Sequence, residues 1–329
     1  MLKLPNKLSS FSLLFLLLTY GIFAKQTTKF NNLLHPAKLL PLSSKSIISD
    51  LWAQNRVIFA VGERGHIFRS KDGKQFEQLS SPADQFLTAI TGNSKNQLWA
   101  VGHDSLILSS SDNGTNWYAA HLNIPAESPL FDILYQGNQS VIAVGAYGYM
   151  VRSTNNGATW TRLNIDIKID EYEEPEDSEP HYFAIRSMSN GNLLIACEFG
   201  KLAELSSEGK LIRQIETGLD SSLFGLEIMN DQNILLYGLR GRIYTGNPEE
   251  GFKQLNNPKS SSLFGSFKDN ESIYLTGTDG TLLQVKGNQL NDLSLEERTI
   301  VTSGLTLAEN SKIILGTTNG LKPIGDMSD

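Results

Sequence analysis

Several short segments place charged and aromatic residues together, each directly after an apolar run and each beside a glycine. Arginine binds carboxylates through paired hydrogen bonds, and exposed aromatic side chains anchor partners at interfaces. These residue types therefore favour recognition of a protein or peptide. The candidate partner-binding residues are Glu63, Arg64, Tyr147, Glu198, Phe199, Arg240 and Arg242. In the alternative interpretation the arginines pair with neighbouring carboxylates such as Glu63, and Tyr147 and Phe199 pack in the core.

A strongly acidic segment lies between residues 166 and 180. Its carboxylates are Asp170, Glu171, Glu173, Glu174, Glu176, Asp177 and Glu179. Like charges repel one another, which favours a solvated insertion. Two other interpretations stay open: a flap that docks on a basic patch of a partner or covers Arg64 and Arg240, and a divalent-cation site. Against a cation site, the segment lacks the ligand spacing of an EF-hand.

The composition limits the possible classes of protein. The 329 residues include 28 Lys+Arg and 35 Asp+Glu, for a formal charge of -7, and 40% are hydrophobic. A chain of this length buries a large core, and its acidic balance argues against nucleic acid as a partner. The single cysteine, Cys197, excludes a disulfide framework and is best explained as a small buried apolar residue.

The first 24 residues have the pattern of a signal peptide. Lys3 and Lys7 precede an apolar run that ends at Leu18, and Ala24 offers a small residue for cleavage. Residues 25–34 would form a linker. We therefore expect an exported protein, located in a periplasm or lumen or secreted, and open to membrane association.

One sequence unit recurs seven times and predicts the fold. In each copy an apolar run ends at a small residue, at positions 62, 102, 145, 197, 238, 277 and 317. Each unit offers short apolar runs separated by glycine and asparagine, which is typical of strands. Units of four strands at a period of about 40 residues predict an all-β, seven-bladed β-propeller with four-stranded blades across residues 35–329.

The sequence also predicts how the ring of blades closes. The last unit ends after a third strand, whereas Ala37–Leu42 forms a spare apolar segment before the first unit. We expect this N-terminal segment to complete the last blade as its fourth strand, because closure removes edges that template aggregation. Pro41 fits an edge position.

Three turns between third and fourth strands share a Ser-x-Asp or Ser-x-Asn pattern followed by glycine. Their residues are Ser70, Asp72, Gly73, Ser110, Asp112, Gly114, Trp117, Ser153, Asn155, Gly157 and Trp160. These turns look like Asp-box (BNR) hairpins, close to the WD40 and YVTN class of repeats. In such a turn the carboxylate or amide accepts backbone N–H groups, the glycine takes a positive φ, and the aromatic ring packs between blades. We expect a structural role.

The chain resembles the photosystem II assembly and stability factor family of BNR-repeat propellers. The resemblance rests on these turns, on Val61-Gly62-Glu63-Arg64-Gly65-His66-Ile67, on Pro180-His181-Tyr182-Phe183-Ala184-Ile185, and on Phe224-Gly225 with Gly238-Leu239-Arg240-Gly241. It implies an exported, non-enzymatic protein that acts in the assembly or stability of a membrane protein complex. The expected partner is a protein or peptide, such as a subunit of that complex, and the expected state is a monomer.

Enzymatic signatures are missing from the sequence. It contains no Gly-x-Ser-x-Gly elbow, no His-Glu-x-x-His zinc motif and no phosphate-binding loop. We therefore predict no catalytic residue, no metal site and no small-molecule cofactor. The alternative is a glycan-binding or sialidase-like glycoside hydrolase propeller, which needs clustered arginines beside a tyrosine and a carboxylate.

The predicted topology brings the candidate residues together. In a propeller the turns between second and third strands share one rim with the loops that link the blades. Glu63, Arg64, Tyr147, Phe199 and Arg240 would therefore meet on this rim although they are far apart in sequence. The acidic insertion belongs to the same rim, because it lies between the third and fourth units.

Overall fold

The computed structural model describes residues 34–54, 56–120, 128–169, 179–219, 221–230, 233–269, 271–307 and 312–324. The proposed signal peptide, 1–24, lies outside this range. The chain divides into a unit of residues 1–35, described only at 34 and 35, and a compact unit of residues 36–329 that forms the fold. Across the described ranges, no helix has the length and apolar character needed to cross a membrane.

The described part of the second unit contains 27 strands in seven antiparallel sheets, each built from consecutive strands. Blades 1 and 2 comprise β1 (Ile48–Gln54), β2 (Val57–Gly62), β3 (Ile67–Ser70), β4 (Glu77–Leu79), β5 (Leu87–Gly92), β6 (Leu98–Gly102), β7 (Ile107–Ser110) and β8 (Tyr118–Ala119). Blades 3 and 4 comprise β9 (Leu130–Gly137), β10 (Ser140–Gly145), β11 (Met150–Ser153), β12 (Thr161–Leu163), β13 (Tyr182–Ser187), β14 (Leu193–Cys197), β15 (Lys201–Leu205) and β16 (Leu211–Glu216). Blades 5 to 7 comprise β17 (Leu223–Ile228), β18 (Ile234–Gly238), β19 (Ile243–Asn247), β20 (Gly251–Gln254), β21 (Leu263–Lys268), β22 (Ile273–Gly277), β23 (Leu282–Lys286), β24 (Gln289–Asp292), β25 (Val301–Leu307), β26 (Lys312–Thr317) and β27 (Gly320–Ile324).

The sheets form a ring, which confirms the predicted seven-bladed β-propeller. The first strand of each blade packs against the first strand of the next, and β25 of blade 7 packs against β1 of blade 1. The second strands are buried on both faces, which is why they appear as continuous apolar runs in the sequence. Cys197 ends one of these strands and is fully buried, as expected for a small apolar residue.

The first strand of each blade, called the inner strand below, carries a β-bulge one residue after its start. The bulged residues are Ser49, Thr88, Phe131, Phe183, Phe224, Phe264 and Thr302. A bulge leaves one residue unpaired and re-aims its side chain. The glycines that end several second strands allow the close approach this requires. A Cβ atom at Gly62, for example, would collide with the carbonyl oxygen of Ile47.

The predicted closure by an N-terminal strand is wrong. Within the described residues, the last sheet has three strands, and Ala37–Leu42 forms none. Instead the Gln78 side-chain amide accepts a hydrogen bond from Leu40 N and donates one to Lys38 O, which holds the segment to blade 1. Pro41 has no N–H group and opens a turn that leads into a short 3-10 helix at Ser43–Lys45, so the extended stretch is too short to pair as a strand.

Apolar packing between blades 7 and 1 closes the ring. Ile314 of β26 lies in one buried cluster with Ile48, Leu51 and Ile58 of blade 1. Gly73 of blade 1 also packs against Ile314, because its lack of a Cβ leaves room for the isoleucine methyl group. The closing contact is therefore a core interface of the same kind as the other blade interfaces.

We expect Ile314→Ala to lower the free energy of unfolding by about 2–5 kcal/mol, because it leaves a cavity at a fully packed interface. Leu42→Ala, at a position 68% exposed, should change it by no more than about 0.5 kcal/mol. Urea unfolding followed by tryptophan fluorescence measures both. An equal loss from the two substitutions would argue that the N-terminal segment does close the ring.

Candidate functional site

Six blades present one side chain each from the same turn geometry. The turns between second and third strands place this residue at a φ of 53 to 57°. The residues are Arg64, Asp104, Tyr147, Phe199, Arg240 and Asp279. Each is followed by a second residue of positive φ, a glycine in five of the six turns. Two successive left-handed residues make a type I′ turn, which matches the twist of the flanking strands.

These turns and the loops between blades share one rim, as predicted. Gly148 N donates to Pro180 O, and Gly280 N donates to Thr299 O, both in the loops that lead to the next blade. A Cβ at Gly65 would collide with the carbonyl oxygen of Ala83. Glycine is required there because the turn both adopts a positive φ and touches the loop.

The two candidate arginines on this rim are exposed. Arg64 and Arg240 have no carboxylate within 4.0 Å among the described residues. Glu63 does not pair with Arg64: its Oε1 accepts a hydrogen bond from Ile47 N at 3.2 Å. Glu198 Oε2 likewise accepts from His181 N at 3.0 Å. The carboxylates thus hold the backbone of the rim, and the two guanidinium groups face solvent.

The other candidate rim residues differ in exposure. Tyr147 is 60% exposed, and its backbone N–H donates to His181 Nδ1 at 3.0 Å. Phe199 is half-buried and packs against the core of blades 3 and 4. Arg242 is half-buried and lies one residue before β19. Of the two aromatic candidates, Tyr147 is the one available to a partner.

An arc of phenylalanines lines the mouth of the central channel below this rim. The bulged residues of blades 3 to 6 are Phe131, Phe183, Phe224 and Phe264. Ring centroids of successive members are 5.8, 5.1 and 5.2 Å apart. Such spacings are those of favourable aromatic pairs. Phe264 is 43% exposed, so the arc forms an accessible apolar wall.

The remaining bulged residues carry hydroxyl groups that bind the next blade. Ser49 Oγ donates to Leu87 O at 2.6 Å, and Thr88 Oγ1 donates to Leu130 O at 2.7 Å. Thr302 Oγ1 donates to Ile48 O across the junction of blades 7 and 1. The channel mouth therefore has an aromatic side and a hydroxyl side.

A chain of ion pairs runs around the channel wall beneath the phenylalanines. The Arg186 guanidinium contacts Asp132 Oδ2 at 2.6 Å and Glu227 Oε1 at 2.9 Å. Lys268 Nζ lies 2.8 Å from Glu227 Oε2. Although burial raises the pKa of Glu227, the charges of Arg186 and Lys268 outweigh it, and its pKa is lowered. The chain links blades 3, 4, 5 and 6.

Asp50 is not a member of this chain of ion pairs. Its carboxylate accepts hydrogen bonds from Leu51 N, Ile90 N and the Ser303 hydroxyl, at 2.8 to 2.9 Å. Burial raises the pKa of Asp50 to about 6, against the hydrogen bonds that favour its charged form, and the negative charge of Asp132 adds to the rise. The Asp50 carboxyl therefore changes charge near pH 6.

A cavity of about 130 Å³ joins these features. Its lining includes the four phenylalanines together with Asp50, Asp132 and Arg186. Among the described residues that line it, Arg186 is the single arginine. A larger groove of about 430 Å³ between blades 4 and 5 contains Arg213, already paired with Glu204 and Glu249. The described ranges contain no group of three or more His, Cys, Asp or Glu side chains that could hold a metal ion.

Most of the predicted acidic insertion lies outside the described residues. This applies to Asp170, Glu171, Glu173, Glu174, Glu176 and Asp177. Glu179 is described: its Oε2 lies 3.6 Å from Arg162 Nη2, and its side chain packs over Gly148. Ile167 and Ile169 are buried against the core of blades 3 and 4. Residues 166–169 thus belong to the packed propeller.

The three Ser-x-Asp and Ser-x-Asn turns lie at the opposite rim. Asp72 Oδ1 accepts from Lys74 N and Gln75 N, and Asp112 Oδ1 accepts from Asn116 N, at 2.8 to 2.9 Å. The equivalent bond in the third turn runs from Thr159 N to the Asn155 side chain. The serine hydroxyls accept from the turn glycines, and the two indoles donate to glycine carbonyls, with the participants Ser70, Gly73, Ser110, Gly114, Trp117, Ser153, Gly157 and Trp160.

The phenylalanine arc and the channel charges were missed in the sequence. Phe131, Phe183, Phe224 and Phe264 looked like ordinary strand residues. One signal could have identified them: phenylalanine recurs one residue after the start of the first strand in four consecutive units. Asp50 and Arg186 gave no such signal, because their partners come from other blades.

Comparisons with known proteins agree with the fold. A family model described as the DUF6242 beta propeller domain matches residues 26–135. No functionally curated protein has a significantly similar sequence. The WD40 beta propeller domain of Doa1 matches with a TM-score of 0.67 and 16% identity, covering 88% of this chain and 96% of that one.

Two structures of YCF48 are similarly close in fold. YCF48 bound to D1 peptide matches with a TM-score of 0.68 and 16% identity, covering 87% of this chain and 94% of that chain. YCF48 from Cyanidioschyzon merolae matches with a TM-score of 0.68 and 14% identity, covering 88% and 98%. At these identities the likeness defines the propeller architecture of this chain.

The raised pKa of Asp50 predicts a pH dependence of stability. Between the ordinary pKa of 3.8 and about 6, the folded carboxyl stays protonated while the unfolded one is ionised. The folded state then binds more protons, so its stability falls as the pH rises through this window, by at most about 3 kcal/mol. Asp50→Asn should lack this component, whereas Asp84→Asn, at an exposed site, should keep it.

Urea unfolding at pH values from 4 to 8 measures this difference. The curves of the native protein and Asp84→Asn should run parallel, and that of Asp50→Asn should diverge from them below pH 6. Parallel curves for all three proteins would contradict a buried, uncompensated carboxyl.

Proposed function

We propose that this chain is an exported propeller that binds a protein or peptide at its channel mouth. In this role it acts as a scaffold, assembly or stability factor for a membrane protein complex. The observation that carries the proposal is the combination of an accessible phenylalanine arc with Arg64 and Arg240, both exposed on the rim above it.

The chemistry of this surface suits a peptide segment. Aromatic side chains and arginine are the residue types that dominate binding energy at interfaces, especially where a pocket excludes water. Phe264 and Tyr147 are exposed although both are large and apolar. Exposed arginines at the margin would bind carboxylates of the partner through paired hydrogen bonds.

The proposed assembly role rests on the assumption that the similarity in fold to YCF48 extends to a similar function. YCF48 has been solved bound to D1 peptide, so a propeller of this shape can hold a peptide. The Ser-x-Asp turns support membership of the BNR (Asp-box) class. Residues 1–24 support export to a periplasm, lumen or extracellular space. The partner would be a subunit of a membrane complex, bound by a monomer, with no nucleic acid, cofactor or catalytic step.

A glycan-binding or glycan-cleaving propeller is the second candidate. One observation favours it: the Tyr237 hydroxyl donates to Ser266 Oγ at 2.8 Å, and Ser266 Oγ donates to Glu227 at 2.7 Å, close to Arg186. Two features weigh against hydrolysis. Burial raises the pKa of Tyr237 and keeps its hydroxyl protonated, and the described residues that line the cavity include one arginine instead of a cluster. Release of a fluorogenic sialoside would support this candidate.

The rim arginines provide the direct test of partner binding. In affinity capture from the cell's own envelope fraction, Arg64→Glu combined with Arg240→Glu should abolish recovery of a partner identified by mass spectrometry. Charge reversal turns attraction for carboxylates into repulsion. Because both residues are exposed, the melting temperature should change little.

The control is Lys71→Glu combined with Lys74→Glu, which reverses two exposed charges in a turn of the opposite rim. This variant should recover the partner as well as the native protein does. Undiminished recovery by the Arg64 and Arg240 variant would refute the rim as the binding site. Equal losses from both variants would point to a general effect of net charge instead.

A further inference from the structure

The charges around the channel do not balance. Arg186 pairs with Asp132 and Glu227, and Lys268 pairs with Glu227. These two cations compensate two carboxylates. Among the described residues Asp50 has neutral partners only, two backbone N–H groups and the Ser303 hydroxyl. The cavity therefore carries one surplus negative charge when Asp50 is ionised.

This surplus charge lies at the end of an aromatic entrance. Phe131, Phe183, Phe224 and Phe264 line the same cavity as Asp50. The faces of aromatic rings attract cations, and they also pack well against methylene groups. A ligand that enters from the rim thus meets an apolar wall first and a carboxylate second.

We propose that the channel mouth binds a basic side chain, arginine or lysine, that the partner inserts between the phenylalanine arc and Asp50. The stem packs against the phenyl rings, and the cationic head forms an ion pair with the Asp50 carboxylate. This inference specifies the partner of the proposed function and rests on it, but it concerns residues that differ from the rim arginines.

The geometry favours an organic cation over other ligands. An anion would meet the negative surplus of the cavity, and a neutral side chain would leave the carboxylate without a counter-charge, which is costly when water is excluded. A metal ion needs several oxygen ligands, whereas Asp50 is the one carboxylate without a cation among the described residues that line the cavity. Arginine fits especially well, because its planar guanidinium group is weakly hydrated and stacks on aromatic faces.

Small probes test this proposal on the full chain. Ligand-observed NMR titrations use the N-acetyl, N-methylamide derivatives of arginine, lysine and citrulline, the last having nearly the shape of arginine but no charge. We expect both cationic probes to bind at least about tenfold more tightly than the citrulline probe. Asp50→Asn should remove this preference, and Asp279→Asn, an exposed rim carboxylate, should leave it intact.

A pH titration adds a signature that a purely structural role of Asp50 would not give. Protons compete with the cation for this carboxylate, so binding of the arginine probe should weaken as the pH falls through about 6. The other charged groups that line the cavity are Asp132 and Arg186, which are paired with each other. Binding of the citrulline probe should not change over the same range.

Equal affinity for arginine and citrulline on the native protein would overturn the proposal, and that comparison needs no variant to fold. An unchanged preference in Asp50→Asn would overturn it as well. If the rim charge reversal abolishes partner capture while the probes show no preference for charge, the proposed function stands and this inference fails. If the probes show the preference while the rim reversal leaves capture intact, the channel site stands and the rim does not.

Discussion

A continuous ring of polar contacts joins the seven inner strands, with Thr306 Oγ1 donating to Lys268 O between blades 7 and 6. Side chains of the inner strands bind the backbone or side chains of a neighbouring blade. Asp50 is the clearest example, since it accepts hydrogen bonds from Ile90 of blade 2 and Ser303 of blade 7. Asp132 similarly accepts from Ile185 of the next blade.

The repeated bulge allows this ring and the proposed binding surface to coexist. A bulged residue is free of the strand ladder, so its side chain can vary without loss of pairing. In blades 7, 1 and 2 the position carries Thr302, Ser49 and Thr88, whose hydroxyls bind the next blade. In blades 3 to 6 it carries phenylalanine, and the Asp132–Arg186–Glu227–Lys268 chain joins those blades instead. The aromatic side of the mouth is possible because ion pairs replace the hydroxyl contacts there.

The contacts between blades 7 and 1 explain why the ring closes without an N-terminal strand. The junction of blades 7 and 1 has a buried apolar cluster around Ile314, the Thr302 hydroxyl bond and the Ser303–Asp50 bond. The hydroxyl contact is of the kind that also joins blades 1 and 2 and blades 2 and 3. The exposed Leu39 and Leu42 side chains of the N-terminal segment contribute little to it.

The sequence alone determined the all-β architecture, the seven blades, the shared rim and the turn chemistry at Asp72, Asp112 and Asn155. All of these follow from local patterns that repeat along the chain, where strand periodicity and turn residues act over a few positions. Tertiary structure decided the rest: the path of Ala37–Leu42, the phenylalanine arc, and the isolation of Asp50 from the ion-pair chain. These features arise where side chains of different blades meet around the axis, and a contact between residues 50 and 303 leaves no trace in the local pattern of either.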